Sequence, residues 1–283
     1  MYKLPQEQIE SIVRLALEED DFENDITSRA IIPPEQIDTA LIIAKASGIL
    51  ACVNIIPPVF HMVDYSLKVD ILQKDGQIVK PHDPIARIAG KLQSILSAER
   101  TVLNFLSHLS GIATQTAGYV EKIKGTKAVI RDTRKTLPGM RLLEKYAVTV
   151  GGGQNHRLNL ADGILIKDNH IASLRKDGLT LTEIIARARK NSPEDMPFEI
   201  EVNTVEEAAE AMETDVDVIM LDNMSIEDMK TVAAMPHTKV KLEASGGITL
   251  DNIRDVALTG VDYISIGALT HSAKALDFSL EVE

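Results

Sequence analysis

The sequence predicts an α/β fold, in which a small N-terminal α+β domain precedes an incomplete βα barrel. From about residue 125 onward, apolar runs of four to six residues alternate with longer helical stretches. This rhythm is typical of a parallel sheet built from strand–helix units. Nearly every predicted strand also ends in a polar or glycine cluster, and a βα barrel presents such ends on one face. An open doubly wound sheet stays an alternative, although it would gather these groups mainly at one switch point.

Residues 1 to about 97 carry the patterns of the α+β domain. The stretch Gln6–Glu19 places its apolar residues on one stripe, which predicts an amphipathic helix. A long helix is expected at about residues 96–124, broken or bent near Gly111 because glycine weakens a helix. Between these helices, three short segments bounded by Gly, Pro and Asp predict strands at residues 39–46, 66–72 and 85–89.

The remaining segments define the predicted barrel. Its strands are expected at residues 128–131, 163–166, 198–202, 218–221, 240–242 and 263–266. The helices between them are expected at residues 139–150, 181–190, 205–212, 226–233 and 250–258. The expected domains are an N-terminal domain of residues 1–110, joined by the C-terminal segment 272–283, and a barrel domain of residues 111–271.

Composition narrows the class of protein. Apolar residues make up 45% and charged residues 25% of the 283 residues, which is ordinary globular usage and argues against a disordered or collagen-like chain. No apolar run approaches the roughly 18 residues of a membrane helix, and the polar N-terminus lacks the pattern of a signal peptide. The single cysteine, Cys52, lies in an apolar run and has no partner for an internal disulfide. We therefore expect a cytoplasmic protein.

Charge is unevenly distributed along the chain. The net charge of −12 argues against nucleic acid as a partner, because phosphate backbones bind basic surfaces. Between Arg131 and Lys176, however, nine Lys and Arg residues occur with four Asp and Glu residues, a net +5 that leaves −17 for the rest. A basic island in an acidic chain suggests a local anion site, and a chance cluster of solvated charges is the alternative.

Two glycine-containing loops late in the chain are candidates for binding phosphate. The run Ser-Gly-Gly at 245–247 follows one predicted strand and leads to Thr249, a candidate helix N-cap. Gly267 and Ala268 follow the next strand. Backbone N–H groups at such turns bind phosphate, and glycine lets it approach closely. Two successive late loops match the usual phosphate site of a βα barrel, whereas either loop alone could be a structural turn.

Charged side chains near the predicted strand ends complete the candidate site. Arginine forks bind carboxylates and phosphates bidentately, and lysine acts as a point charge. Acids at strand ends suit ribose hydroxyls or Mg²⁺, and a salt bridge to a neighbouring lysine is the structural alternative. The candidates are the cations Arg134, Lys135, His156, Arg157 and Lys167, and the acids Glu201 and Asp222.

Several sequence runs resemble the signature of the quinolinate phosphoribosyltransferase family, also called the carboxylating nicotinate-nucleotide pyrophosphorylases. The most specific runs are RDTRKTLPGMR at 131–141, KYAV at 145–148, GGGQNHR at 151–157 and LIKDNH at 165–170. The resemblance extends from about residue 25 to the end, through ERTVLN at 99–104, HLSGIAT at 108–114, LEASGG at 242–247 and GALTH at 267–271.

This resemblance implies a type II phosphoribosyltransferase with an N-terminal α+β open-sandwich domain and an incomplete barrel of about seven strands. It implies that quinolinate and phosphoribosyl pyrophosphate, with Mg²⁺, give nicotinate mononucleotide, pyrophosphate and CO₂ in NAD biosynthesis. It also implies a homodimer whose active site is completed in trans, and it leaves open a hexamer of dimers. Small molecules are the expected partners, rather than nucleic acids or membranes.

The resemblance assigns the quinolinate site to four residues of this chain. Arg134, His156 and Arg157 would hold the two carboxylates. Arg100 would assist from the neighbouring subunit, because it lies early in the long predicted helix rather than at a strand end.

The resemblance assigns the other substrate to the remaining candidates. Lys135 and Lys167 would bind pyrophosphate and nearby carboxylate oxygens, and Glu201 and Asp222 would hold the ribose hydroxyls and Mg²⁺. These four residues are the expected catalytic set. The other expected substrate-binding residues are Thr133, Ser245, Gly246, Gly247, Ile266, Gly267 and Ala268.

The sequence leaves two other functions as alternatives. A paralogue of this fold could ribosylate another aromatic acid without decarboxylation, although the trio Arg134, His156 and Arg157 argues for a dicarboxylate. A non-catalytic phosphate-binding barrel is the second alternative. Lys167, Glu201 and Asp222 argue against it, because phosphate binding alone does not need them.

Overall fold

A computed structural model describes residues 4–237 and 239–283 of the chain, so the first three residues of the predicted N-terminal domain lie outside the described residues. The helices are α1 (Gln6–Glu19), α2 (Ile26–Ile31), α3 (Ile56–Val63), α4 (Leu92–Lys122), α5 (Arg141–Val150), α6 (Asp168–Lys176), α7 (Leu181–Lys190), α8 (Val205–Met212), α9 (Ile226–Ala233), α10 (Ile253–Leu258) and α11 (Ala268–His271). The strands are β1 (Ile37–Ala44), β2 (Gly48–Ile49), β3 (Lys68–Ile71), β4 (Ile78–Val79), β5 (Pro84–Lys91), β6 (Val129–Arg131), β7 (Ile164–Ile166), β8 (Phe198–Val202), β9 (Val218–Asp222), β10 (Lys241–Ser245), β11 (Tyr263–Ser265) and β12 (Phe278–Val282).

The chain divides into two compact units. The first contains Met1–Ala117, Thr136–Gly152 and Ala268–Glu283, and the second contains Gly118–Lys135 and Gly153–Gly267. The domain limits expected from the sequence, 1–110 with 272–283 and 111–271, stay a prediction.

An antiparallel sheet forms the centre of the first unit. Its strand order is β12-β1-β5-β3, and β2 pairs with β4 in a separate ladder. In β1 the side chains of Ala40, Ile42 and Ala44 are fully buried while the residues between them are partly exposed. This alternation is typical of a sheet with one covered face.

The long helix α4 corrects one prediction from the sequence. It runs from Leu92 to Lys122 without the break that was expected near Gly111, whereas the alternative of a bend there stays a prediction. A Cβ at this position would collide with the backbone carbonyl oxygen of Lys274. Glycine is therefore required here because another chain segment approaches closely, and not because the helix ends.

A six-stranded parallel sheet forms the second unit, in the order β6-β11-β10-β9-β8-β7. The first strand of this sheet along the chain, β6, pairs with the last, β11. On the side of β6 away from β11, Gln154 forms a single parallel bridge with Arg131. The structure confirms a parallel α/β sheet and a separate N-terminal sheet, whereas the count of about seven strands and the closure of the barrel stay predictions.

Local sequence signals account for the element bounds. Five predicted elements agree with the structure at both ends, namely α1, α7, α8, α9 and β8. Helix α5 begins at Arg141 rather than 139, because Gly139 has a φ of +78°. Helix α10 begins at Ile253 rather than 250, and its N-cap is Asn252 rather than Thr249.

In the part of the chain that the structure describes, no helix is long and apolar enough to span a membrane.

Candidate active site

The carboxyl ends of the parallel strands bring the predicted charges of the second unit together. Lys167 directly follows β7, and Glu201 lies in the neighbouring strand β8. The Nζ atom of Lys167 donates a hydrogen bond to Oε2 of Glu201 over 3.1 Å. The Glu201 side chain is only 8% exposed, whereas that of Lys167 is 46% exposed. The structural alternative for Glu201, a salt bridge to a neighbouring lysine, is therefore present. It holds the accessible side chain of Lys167 at the end of the sheet.

Asp222 lies on the same face of the sheet as Glu201. In the register of β8 and β9, Glu201 is opposite Met220, and Asp222 follows two residues later. Since side chains two residues apart in a strand point the same way, the two carboxylates face the same side on neighbouring strands. Asn223 donates a side-chain hydrogen bond to Asp222 over 2.8 Å and adopts a left-handed conformation with a φ of 54°.

Arg134 and Arg157 supply neighbouring positive charge. Burial lowers the pKa of the Arg157 guanidinium, and the charge of Arg134 lowers it further, against the opposing effects of Glu199 and Asp162. One guanidinium nitrogen of Arg157 also donates to the carbonyl oxygen of Gly163 over 3.0 Å. Two guanidinium groups close enough to disfavour each other form a site that an anion would stabilise.

The loop that carries Arg157 is anchored by a buried acid outside the predicted set. Asp132, directly after β6, is fully buried. It accepts hydrogen bonds from the side chain of Asn155 over 2.5 Å and from the backbone N–H of His156 over 2.9 Å. Asp132 therefore holds the loop at 155–157 against the end of β6.

Both ring nitrogens of His156 are engaged within the second unit. Nδ1 accepts the backbone N–H of Arg157 over 2.8 Å, and Nε2 lies 2.8 Å from Oε2 of Glu199. Burial lowers the pKa of His156, but the hydrogen bond and charge of Glu199 and the charge of Glu243 outweigh it, so that the pKa lies above its ordinary value. The amide hydrogen directed at Nδ1 nevertheless requires a lone pair there. These partners assign the neutral tautomer with the proton on Nε2.

A buried charged network lies behind His156. Arg131 donates to Oε2 of Glu243 over 3.0 Å, and its guanidinium carbon lies 3.3 Å from the ring centre of Tyr263. Nε2 of His156 lies 3.6 Å from Oε1 of Glu243. Burial, together with the charge of Glu199, raises the pKa of Glu243 to about 7. The network therefore holds a proton readily at neutral pH.

The same network is poorly suited to a metal ion. Among the residues that the structure describes, His156, Glu199 and Glu243 have possible ligand atoms within 4.8 Å of one another. The guanidinium of Arg131 already pairs with Glu243, and both side chains are largely buried, so an added cation would meet a positive charge that solvent screens little.

The two glycines of the loop at 245–247 differ in their constraints. Gly246 has a φ of +91°, and a Cβ there would collide with the side chain of Asn223. Gly247 has a φ of +62°, but a Cβ there would have no neighbour within 4 Å among the described residues. Gly246 is therefore explained by packing, whereas the open space beside Gly247 leaves room for a ligand. The side chain of Asn252 donates to the carbonyl oxygen of Gly247 over 2.9 Å and holds this loop.

The structure places the remaining predicted site residues in different surroundings. Thr133 accepts the backbone N–H of Lys135 over 3.0 Å through its hydroxyl, so it shapes the loop that carries this lysine. The backbone N–H of Ile266 donates to the carbonyl oxygen of Arg131 over 3.0 Å, and Gly267 follows as the last residue of the second unit. Ala268 begins helix α11 in the first unit.

Arg100 lies on α4, in the first unit, and is exposed. It partly offsets the burial that raises the pKa of Glu99. Among the described residues no ion pair joins Arg100 to Glu99 or Glu121, and Glu121 pairs with Lys124 instead. Among the described residues, neither glutamate therefore holds Arg100 in a surface salt bridge, which would be the structural alternative to a functional role.

Comparison with protein families covers almost the whole chain. Residues 25–110 match the N-terminal domain of quinolinate phosphoribosyl transferase, and residues 112–281 match its C-terminal domain. The chain belongs to the quinolinate phosphoribosyltransferase family.

Individual relatives agree with this placement in the family. A probable carboxylating nicotinate-nucleotide pyrophosphorylase of Bacillus subtilis is 42% identical, over 97% of this chain and 93% of the relative. The corresponding enzyme of Mycobacterium leprae is 39% identical, over 95% of each chain. The solved structure of the nicotinate-nucleotide pyrophosphorylase of Francisella tularensis is 39% identical and superposes with a TM-score of 0.93, covering 99% of this chain and 98% of that one.

Proposed function

We propose that this family member transfers the phosphoribosyl group of phosphoribosyl pyrophosphate to quinolinate with decarboxylation, giving nicotinate mononucleotide, pyrophosphate and CO₂. The observation that carries the proposal is the combination of two neighbouring arginines with the Lys167–Glu201 pair in one unit of an acidic chain. A dicarboxylate and a polyphosphate are substrates that such a set of cations would bind. Relatives of similar length carry the name of this activity.

The quinolinate carboxylates are bound by Arg134 and Arg157 in this proposal, whereas His156, which the resemblance also assigned to them, uses both ring nitrogens within the protein. Arginine forks match the planar geometry of a carboxylate, and charge-assisted hydrogen bonds are the stronger class. The mutual proximity of the two guanidinium groups supports the assignment, because a bound dianion relieves their repulsion.

Phosphoribosyl pyrophosphate occupies the remaining candidates. Lys135 and Lys167 bind the pyrophosphate, and Glu201 and Asp222 hold the ribose hydroxyls. Ser245, Gly246, Gly247, Ile266 and Gly267 surround the 5′-phosphate, which approaches the open side of Gly247.

Bond breaking at the anomeric carbon makes the pyrophosphate more negative and the ribose cationic. Lys135 and Lys167 stabilise the leaving charge electrostatically, and Glu201 lies close enough to Lys167 to orient its Nζ. The pyridine nitrogen of quinolinate then bonds to the anomeric carbon. The resulting pyridinium is the electron sink for loss of the adjacent carboxylate as CO₂, which leaves the electron pair of the broken C–C bond on the ring carbon. That carbon then takes a proton from water, and no enzyme nucleophile is needed.

Mg²⁺ fits the donor set at Glu201 and Asp222. The two carboxylates lie on one face of neighbouring strands, and Mg²⁺ in phosphate-transfer sites typically takes one or two carboxylates together with substrate phosphates and water. When bound, Mg²⁺ would supply positive charge to the departing pyrophosphate.

The assembly and architecture belong to the same proposal. Six parallel strands in which the last pairs with the first, together with Gln154 beside β6, support an incomplete barrel of about seven strands. A homodimer in which Arg100 of one subunit completes the site of the other follows the family pattern. The expected cytoplasmic location stays a prediction.

A direct assay tests the function. The purified protein is mixed with quinolinate, phosphoribosyl pyrophosphate and Mg²⁺, and released CO₂ and nicotinate mononucleotide are measured. Ribosylation without CO₂ release would favour a non-decarboxylating paralogue, and binding without turnover would favour a phosphate-binding barrel.

A further inference from the structure

His170 makes a hydrogen bond that the proposed reaction does not yet use. Lys167 is the N-cap of α6, with an extended backbone at φ −109° and ψ 163°. Its backbone N–H donates to Nδ1 of His170, the third residue of the helix, over 2.9 Å. In return, the backbone N–H of His170 donates to the carbonyl oxygen of Lys167 over 2.9 Å. The two residues therefore fix each other's backbone at the start of the helix.

This contact assigns the state of the histidine ring. Because Nδ1 accepts an amide hydrogen, it must carry a lone pair, so the ring proton lies on Nε2. His170 is exposed, and no other partner of its ring occurs in residues 4–237 and 239–283. Its ring thus has one fixed interaction, which is with the backbone of Lys167.

A second helix of the same unit has the same cap without a site residue. In α7, the N-cap Thr180 donates its backbone N–H to Oε2 of Glu183, the third helical residue, over 2.8 Å. Glu or Gln is the usual residue at this position of a capping box. Histidine replaces it in α6, where the capped residue is the lysine that contacts Glu201.

We propose that His170 is a positioning residue for Lys167: by holding the backbone amide of Lys167 through Nδ1, it sets the point from which the lysine side chain extends to Glu201 and the pyrophosphate. The inference rests on the proposed function of Lys167. Two constraints then fix the lysine, with His170 holding its backbone and Glu201 accepting from its Nζ.

Two variants at position 170 separate this role from other uses of the ring. His170→Ala removes the acceptor, and we expect the affinity for inorganic pyrophosphate with Mg²⁺ and kcat/KM for phosphoribosyl pyrophosphate to fall about tenfold. His170→Gln keeps an acceptor suited to a capping box, so both quantities should stay within about twofold of the parent. The KM for quinolinate should change little in either variant.

Glu183→Ala is the matched control. It removes the equivalent cap from α7, so it should lower the melting temperature about as much as His170→Ala while leaving pyrophosphate affinity and turnover unchanged. In a Lys167→Met background, His170→Ala should cause no further loss of pyrophosphate affinity, because the positioned group is already gone.

Calorimetric titration with inorganic pyrophosphate measures binding directly, so the result for His170 does not depend on whether the protein forms product. If the parent protein binds pyrophosphate but forms no product from quinolinate, the proposed function fails while the comparison of variants still stands. The positioning role is overturned if His170→Ala binds pyrophosphate like the parent, or if His170→Gln is as defective as His170→Ala. A loss in the Glu183→Ala control equal to that of His170→Ala would also overturn it.

Discussion

The Nζ atom of Lys167 and the Oε2 atom of Glu201 lie 3.1 Å apart at the ends of two neighbouring parallel strands. The glutamate is almost completely buried, and the lysine is nearly half exposed. A buried carboxylate that fixes an accessible cation is an arrangement for presenting charge to a ligand. A purely structural ion pair at this position would contribute little to stability, because one partner is open to solvent.

Removing the charge of Lys167 should therefore affect catalysis more than folding. Lys167→Met should lower kcat by about 10²–10³, the range for loss of one electrostatic contact to a transition state. Its melting temperature should fall to a smaller extent, because the buried carboxylate of Glu201 loses its cationic partner. Steady-state kinetics and thermal unfolding measure the two effects. Arg175→Met is the matched control, because it breaks another ion pair of the same unit, with Glu207 over 2.7 Å, and should leave kcat unchanged.

Arg157 should determine the preference for a dicarboxylate. Arg157→Lys keeps the charge but loses the fork, and losing one charge-assisted contact should cost roughly 1.5–3 kcal/mol. The KM for quinolinate should rise by about 10- to 100-fold, while the KM for phosphoribosyl pyrophosphate stays the same. The advantage of quinolinate over nicotinate should shrink accordingly. Equal turnover of both acids by the parent enzyme would contradict the dicarboxylate interpretation.

Helix bounds could be predicted from the sequence because their signals are local. Thr180 and Glu183 form a capping box that is visible as a spacing of three residues, and the predicted limits of α7 agree with the structure. Pairings between distant segments could not be predicted in this way. Strand β12 pairs with β1, about 240 residues earlier in the chain, and no local signal specifies that partner.

In the candidate site, too, residues with a local sequence signal were predicted, whereas contacts between distant segments were missed. Lys167, Glu201 and Asp222 were predicted because each stands at the end of an apolar strand. The network behind His156 was missed, since Arg131 and Glu243 are separated by 112 residues. One signal was present, however, because the alternation of Phe-Glu-Ile-Glu-Val in β8 places Glu199 on the same face as Glu201. A second acid on that face, inside a strand with no exposed residue, requires a buried partner.

The two glycines at 246 and 247 should respond differently to substitution. Gly246→Ala should destabilise the fold, because its Cβ would collide with Asn223. At Gly247 an added Cβ would meet no atom within 4 Å, so apart from roughly 1–2 kcal/mol for its left-handed backbone the Gly247→Val variant should stay folded. Its affinity for phosphoribosyl pyrophosphate should fall because the side chain fills the approach to the backbone N–H groups. Calorimetry on the folded variant measures this, and an unchanged affinity would favour a purely structural turn.

Glu243 should make stability depend on pH. Its pKa in the folded protein is about 7, above the ordinary 4.5, so the folded state keeps a proton that the unfolded state releases. The free energy of unfolding should therefore decrease as pH rises from about 4.5 to about 7 and level off above that range.

Glu243→Gln tests this dependence. The neutral amide removes the titrating group, so the slope of stability against pH should become smaller in this range. Urea unfolding at about pH 5 and about pH 8 measures the slope. Glu206→Gln, on the exposed surface of α8, is the control and should behave like the parent. A variant slope equal to that of the parent would place the titrating proton elsewhere.

Arg100 should act on the active site of a partner subunit. It is exposed on α4, and no ion pair with Glu99 or Glu121 occupies it in the part of the chain that the structure describes. Arg100→Ala and Lys167→Ala should each be nearly inactive, since each removes a charge contact from every site. In a mixed dimer one of the two sites would lack both Arg100 and Lys167, and the other site would contain both. About half of the dimers are mixed in a random assortment, so about a quarter of the parent activity should return.

Unfolding the two variants together and refolding them as a mixture measures this recovery. The same mixing of Arg100→Ala with itself should recover nothing, which controls for activation by refolding. Differently tagged subunits purified through both tags show that mixed dimers have formed. If such dimers form and stay as inactive as the two parents, Arg100 does not complete a partner's site. Recovery to about a quarter requires instead that the lysine of one subunit and the arginine of the other meet in one active site, because no single chain in the mixture carries both.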